Sequence, residues 1–546
     1  MITSSLILKG FKPDPSIIRV EDTFYIASST FEWFPGVMIH ESRDLVNWSF
    51  TDYVLKDEKS LPMKGILNGG GVWAPCLTYH DGTFYMVFSI THTFDEFTQD
   101  TTNYIVTAKD IHGPWSEPVR INSGGFDASL FHDGDRKYFL NMIWYERPDH
   151  NHFHGIEMME IDPLTLRPLT KRKIIFKGTE RGLVEGPHLY RFGDYYYLLT
   201  AEGGTSTEHC CTIARCRDIW GPYEAYEGPI LTSLGYPDLP IQYAGHGDIV
   251  DDGLGNYYLV HLGSRKNGCG GFSIFGRETF IQNITFREGW PVLTEGGNTP
   301  KETFSVPDEL IKRGVMRPQA EGTQSPAADS GCTFRRRYDF NLNSQNPIND
   351  IYPDLITRRS PLGDRASLDA RPGYLRLFGA ESLSSEFDTT LLAVRIQECD
   401  FTAGTRLNYH PEDVRQRAGL VFMYHSADYY YLFIGYDDEK KQRYISLYKR
   451  ESRKTKEMTE PLYLPDEGEV MLMGRYTLDG IDFSYGYGGQ SYSLGVDKRD
   501  CPVTIMSDEY ANVCGEQGFT GSVVGICTQD LTGDRMPADF AYFEIV

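Results

Sequence analysis

Along the first three hundred residues the apolar positions fall in short alternating runs, without the 3.6-residue recurrence of a helix, and this is strand patterning. One unit recurs five times: a short apolar strand, a turn of Asp/Gly type, then an aromatic strand. The copies are DPSIIRVEDTFYIASS, APCLTYHDGTFYMVFS, DASLFHDGDRKYFLN, GPHLYRFGDYYYLLT and HGDIVDDGLGNYYLVH. Anchored on Tyr25, Tyr85, Tyr138, Tyr197 and Tyr258, the copies are spaced by 60, 53, 59 and 61 residues. Each has room for a third and a fourth strand, as in GVMIHESRDLVNW or NYIVTAKDIHGPW. Four strands per unit describe a propeller blade, and five units predict a five-bladed β-propeller over residues 1–305. The competing arrangement, a long sandwich meander, seldom keeps so regular a period.

Residues 306–330 mix Pro, Gly, Ser and charge without periodicity and read as a linker. Beyond them YLRLFGA, TTLLAVRI, AGLVFMYHS, YYYLFIGYD, YISLYKRE and VMLMGRYTL are short strands separated by turns, which predicts a β-sandwich over 331–546. The fold class is therefore all-β.

The chain has 546 residues, 40% of them hydrophobic and 13% aromatic, which suits a globular protein of more than one domain. Its formal charge of −23 repels phosphate backbones and anionic lipid surfaces, so nucleic acid and membrane are excluded as expected partners. No apolar run approaches the ~18 residues of a membrane span. The start, Met1 to Phe11, has no secretory apolar stretch, and a cytoplasmic location is expected. The ten cysteines show no CxxC or Cys/His metal spacing and read as reduced, buried thiols.

In a propeller the first strand of each blade lines the central channel. Asp14, Ala74 and Asp127 lie eleven positions before their anchoring tyrosines, and Glu185 and His246 twelve before theirs. Three carboxylates and an imidazole, up to 232 residues apart, are thus expected at one channel mouth. An isolated Asp14-Pro15 would read as a turn, but equivalent placement in several blades points to function. Crowded carboxyls cannot all ionise at equal cost, which separates an acid from a base. Glycoside hydrolysis uses such a pair, and the inverting form needs about 6.5–9.5 Å between the two carboxyls. Phe31, Trp33, Trp73 and Trp144 sit beside the inner strands and could stack on a sugar face, ordinary core packing being the alternative for each. Arg277 could offer a planar fork to hydroxyls, or form a plain surface ion pair.

These motifs resemble glycoside hydrolase family 43, most closely its β-xylosidase branch with an added C-terminal sandwich. KPDPSIIR, STFEWFPGV, GGVWAP, GGFDASLFHD, VEGPHLY, YAGHGD and GRETF carry the resemblance through residues 12 to 280. It implies Asp14 as general base, Glu185 as general acid and Asp127 as the residue that tunes and orients the acid. It also implies Arg277 as a ligand of sugar hydroxyls, Trp73, Phe31 and Trp144 as walls of the first subsite, and His246 near the channel centre. Some relatives hold a hydrated calcium ion at the equivalent of His246. One imidazole alone is a weak calcium signature, so no cofactor is required and that metal is optional. The sandwich is lectin-like by the same resemblance, and Phe519 in GFTGSVVGICTQDL corresponds to a loop that reaches the sugar and limits the enzyme to chain ends. An independent carbohydrate-binding module is the alternative for this domain.

The expected function is an inverting, exo-acting release of xylose from the non-reducing ends of 1,4-β-xylo-oligosaccharides, by a chain that self-associates as a homo-oligomer. The alternative activity is α-L-arabinofuranosidase, alone or beside xylosidase. Five-bladed fructosyl enzymes also use three carboxylates, but their RDP triplet is absent. A sugar-binding propeller without catalysis is the non-enzyme reading, since fold alone never proves chemistry.

Overall fold

The computed structural model describes residues 1–94, 97–315, 334–342 and 344–546. Among the described residues the regular secondary structure is almost entirely strand, and the residues group into two compact units.

The first unit holds five sheets of four or five strands. Blade 1 is Ser16–Val20, Thr23–Ser28, Gly36–Ser42 and Ser49–Leu55. Blade 2 begins with Gly71–His80, blade 3 with Ser129–Asp133, blade 4 with Glu185–Phe192 and blade 5 with Gln242–Asp251. The turn chemistry acts as the patterning requires. Asp81 and Gly82, at φ 47° and 67°, link His80 to its partner Thr83, the left-handed pair that a two-residue hairpin favours. The first strands touch in sequence around the ring, from blade 1 through blade 5 and back to blade 1. Leu6–Leu8 near the N-terminus pairs with Glu278–Arg287 and completes blade 5. The five-bladed β-propeller is thus closed by hydrogen bonds between the two ends of its own sequence.

Strand register shows which residues are equivalent. The anchoring tyrosines pair with Ile18, Thr78, Phe131, Tyr190 and Val250. Four residues before these stand Asp14, Ala74, Asp127, Gly186 and His246. His246 lies twelve before its tyrosine because the turn Asp251–Tyr257 is one residue longer. Glu185 does so for a different reason: it is one position upstream, and Gly186 takes the equivalent place. Trp73 and Phe126 are therefore the counterparts of Glu185.

At this place the backbone is left-handed in four blades, with φ 53° at Asp14, 54° at Asp127, 57° at Gly186 and 46° at His246. Asp and His are among the non-glycine residues most often found there, but each such residue still costs of order ~1 kcal/mol. A Cβ on Gly186 would also come 3.2 Å from the His246 ring. Gly186→Ala is expected to destabilise the protein by about 1–2 kcal/mol, read from urea unfolding. An unchanged midpoint would contradict the backbone requirement.

The second unit contains 62–69, 269–276 and the C-terminal part of the chain. Residues 269–276, within the stretch expected to be propeller, therefore group with this unit, and blade 5 resumes at Glu278. Its two sheets form the β-sandwich. One has eight strands in the order Ala366–Ser367, Leu375–Phe378, Pro537–Ile545, Phe401–Asn408, Val470–Thr477, Gly480–Tyr487, Gln490–Ser493, with Arg336–Asp339 also on Pro537–Ile545. The other has seven and is built around Val523–Asp530, Gln416–His425 and Asp428–Asp437. In Val470–Thr477 the residues Val470, Leu472 and Tyr476 are buried while Met471 and Arg475 are exposed, the alternation of a sheet with one wet face. Within 306–330, Asp308–Val315 forms a helix whose Leu310 packs with Phe304, Val306 and Leu45. From 316 to 330 the expected linker lies outside the described residues.

Candidate active site

Asp14, Asp127, Glu185 and Arg277 are only 5, 7, 5 and 4% exposed, although each carries a group that water would solvate well. The buried guanidinium meets a carboxyl: Arg277 Nη1 lies 3.2 Å from Asp14 Oδ1. This is a buried pair and not the surface ion pair that sequence alone allowed. Ser29 Oγ donates to Asp14 Oδ2 at 2.6 Å, so both oxygens are oriented. Asp127 Oδ2 accepts the Gly186 N–H at 3.1 Å, and this holds the peptide that carries Glu185. Glu185 Oε1 has no hydrogen-bond partner among the described residues. His246 Nδ1 lies between the two aspartates, 3.8 Å from Asp14 Oδ1 and 3.9 Å from Asp127 Oδ2.

With one guanidinium among three carboxyls, the remaining two cannot ionise cheaply. Burial, and then the Asp14 charge, push Glu185 up to about 8, with Arg277 offsetting part of the rise. Asp127 is held well above the usual carboxylate range by burial first, then by Glu185 and Asp14. Burial brings His246 down to about 4, which leaves a neutral imidazole near pH 7. The arrangement can supply an oriented carboxylate at Asp14 and a proton at Glu185 near neutrality.

Asp248 provides the contrast. It is just as buried, but it accepts from Ser16 Oγ, the Ile17 N–H, the Tyr190 hydroxyl and the Ile249 N–H. The Asp248 carboxylate is saturated by the protein, whereas one buried oxygen of Glu185 is left without a protein partner.

Aromatic side chains run beside the carboxyls. Phe31 stands 5.3 Å from Phe11 and 5.9 Å from Trp73, Trp73 5.4 Å from Phe126, and Phe126 6.3 Å from Trp144. The Arg277 guanidinium lies 5.4 Å over the Phe31 ring. Trp73 and Trp144 keep part of their surface open. Trp144 Nε1 donates to the Phe97 carbonyl at 3.0 Å, and its ring stacks on His152. Of the four aromatics singled out, Trp33 is fully buried core packing and Phe31 is also buried, at 3% exposure. Phe519 belongs to the second unit and lies, half-buried, between Asp508–Val513 and Val523–Asp530.

Sequence reasoning missed Ser29, Gly186 and Phe126. Ser29 carries no distinguishing signal, because a serine after a strand is commonplace. Gly186 and Phe126 are singled out by strand pairing, which counting back from the anchoring tyrosines does not reveal.

Calcium takes six to eight oxygen ligands. Among the described residues no group of three or more His, Cys, Asp or Glu is placed to hold a metal, and Asp248 is already saturated. The side chains do not fit a calcium ion held directly beside His246, and no step below passes through one.

Comparison with known proteins agrees with this geometry. The model of glycosyl hydrolases family 43 matches residues 4–291, and that of the beta xylosidase C-terminal concanavalin A-like domain matches 349–546. A beta-xylosidase of Bacillus subtilis is 38% identical, over 98% of each chain. A xylosidase/arabinosidase 43B of Humicola insolens is 39% identical, over 98% of this chain and 96% of its own. The crystal structure of a xylan beta-1,4-xylosidase from Bacillus halodurans superposes with a TM-score of 0.90 at 41% identity, covering 99% of both chains.

Proposed function

The chain belongs to glycosyl hydrolase family 43, and from that premise we propose that it is an inverting, exo-acting β-xylosidase that removes xylose from non-reducing ends of 1,4-β-xylo-oligosaccharides. The observation that carries this reading is the division of labour among three buried carboxyls: Arg277 and Ser29 orient Asp14, while Glu185 keeps an unoccupied oxygen and a pKa of about 8.

Asp14 takes a proton from water as the water oxygen attacks the anomeric carbon, and Glu185 gives its proton to the departing glycosidic oxygen on the opposite face. Asp127, through the Gly186 N–H, positions the backbone of Glu185. By family resemblance Arg277 is the ligand of sugar hydroxyls and Phe31, Trp73 and Trp144 are walls of the first subsite; Trp73 and Trp144 keep open surface on which a xylose ring can stack, and Phe31 is buried behind Trp73. Phe519 enters the proposal through family resemblance alone, as the residue that limits the space for sugar. A cytoplasmic location and a homo-oligomer belong to the same proposal and can be checked by fractionation and light scattering.

The test is a xylobiose time course followed by proton NMR, with nitrophenyl xyloside and arabinofuranoside measured in parallel. α-Xylose should appear first; initial β-xylose would refute inversion. The similarity to the Humicola insolens xylosidase/arabinosidase favours a second activity on arabinofuranosides. Turnover of both is expected, with the larger kcat/KM on the xyloside, and a reversed ratio would make the arabinofuranosidase reading the principal one. The reaction as written uses no cofactor, so kcat/KM after exhaustive EDTA treatment should be unchanged; a loss restored by calcium would overturn that point.

A further inference from the structure

Cys269 ends the short helix Lys266–Cys269, and Cys399 lies in the connection between Thr390–Arg395 and Phe401–Asn408. Both belong to the second unit, and their sulfurs stand 3.3 Å apart across 130 residues of sequence. We propose that Cys269 and Cys399 form a redox-active pair that closes to a disulfide when a small-molecule disulfide is supplied.

Closure requires the sulfurs to move from 3.3 Å to about 2.0 Å, a shift within reach of a connecting loop. Cys269 is buried and Cys399 is partly exposed, so an oxidant has access to one thiol and the second can attack the first. The buried Tyr476 hydroxyl is affected by both sulfurs, after burial itself, which places them together beside one side chain. Tyr476 is paired in register with Phe401, two residues after Cys399.

Among the described residues the other thiols are less suited, Cys216 being buried and its thiol pushed up by that burial. Burial pushes Cys76, Cys210, Cys501 and Cys527 up to about 12 and Cys211 higher, so they are protonated and poor nucleophiles. Cys514 is partly exposed but faces the Ser452 hydroxyl.

The step balances without the glycosidase reaction. The Cys399 thiolate attacks one sulfur of the small disulfide, whose S–S bond breaks and releases one thiolate. The Cys269 thiolate then attacks the Cys399 sulfur, the protein disulfide forms, and the second small thiolate leaves. Two electrons pass to the oxidant, and the two protein thiol protons end on the released thiols. The link would secure the start of 269–276, a segment already tied within its unit by Ser273 to Glu509 and by Ser522 to the Ile274 carbonyl. Arg277, which pairs with Asp14, follows directly in sequence.

The full-length protein is incubated with oxidised glutathione or with dithiothreitol, then examined by intact mass, peptide mapping and thermal unfolding. Oxidation should remove two hydrogens' mass and two titratable thiols, and give a crosslinked peptide containing Cys269 and Cys399. The Tm should rise by several degrees, because the link shortens a long loop of the unfolded chain. Cys399→Ser and Cys269→Ser should each abolish the crosslink and the rise. A glutathione adduct without loss of hydrogens, an unchanged thiol count, or a link between other cysteines would overturn the proposal, and the mapping needs only the unsubstituted protein.

Discussion

Glu185→Ala is expected to lower kcat on xylobiose by about 10³–10⁴-fold, the upper range for removing a general acid. An aryl xyloside with a good leaving group should suffer far less, because its departing oxygen needs little protonation. This split separates a missing acid from a damaged fold, which would lower both rates together. The pH profile adds an independent check. In the unsubstituted enzyme the acid must be protonated, and its pKa is raised to about 8, so kcat/KM should fall as pH rises through that value. In Glu185→Ala the alkaline limb should disappear. Equal losses on both substrates, or an alkaline limb that survives, would remove Glu185 from the acid role.

Asp14→Asn should produce the complementary pattern, a loss of about 10³–10⁴-fold on both substrates, because each needs an activated water whatever its leaving group. Asparagine keeps the side-chain shape but cannot take the proton. It also removes the negative partner of a buried guanidinium, so circular dichroism and unfolding should accompany the rates. If the loss on the aryl xyloside were small and that on xylobiose large, the roles of Asp14 and Glu185 would have to be exchanged. If neither substitution mattered, the buried cluster would be structural.

Much of the propeller was legible because strand alternation, Asp/Gly turns and aromatic anchors are local signals repeated five times. The carboxyls Asp14 and Asp127 were legible for a related reason: an inner-strand opening recurs in every blade, and departures from a bland residue there stand out. The place of Glu185 in its blade is not legible in the same way. Counting back from a tyrosine cannot separate an extra turn residue, as before Tyr258, from a residue one place upstream, as at Glu185. Trp33 and Trp73 look alike in sequence, yet one is wholly buried and the other keeps an open face.

By itself, then, the amino-acid order determined the class of fold, the number of blades and the short set of acidic, aromatic and basic residues from which a sugar site could be built, since these depend on neighbours a few positions apart. Which carboxyl Arg277 serves, which oxygen stays without a partner, which backbone positions must be left-handed and which thiols meet were decided only in three dimensions. Hydrogen bonds and charges act over a few ångströms of space, and the groups concerned are separated by up to 263 residues of chain.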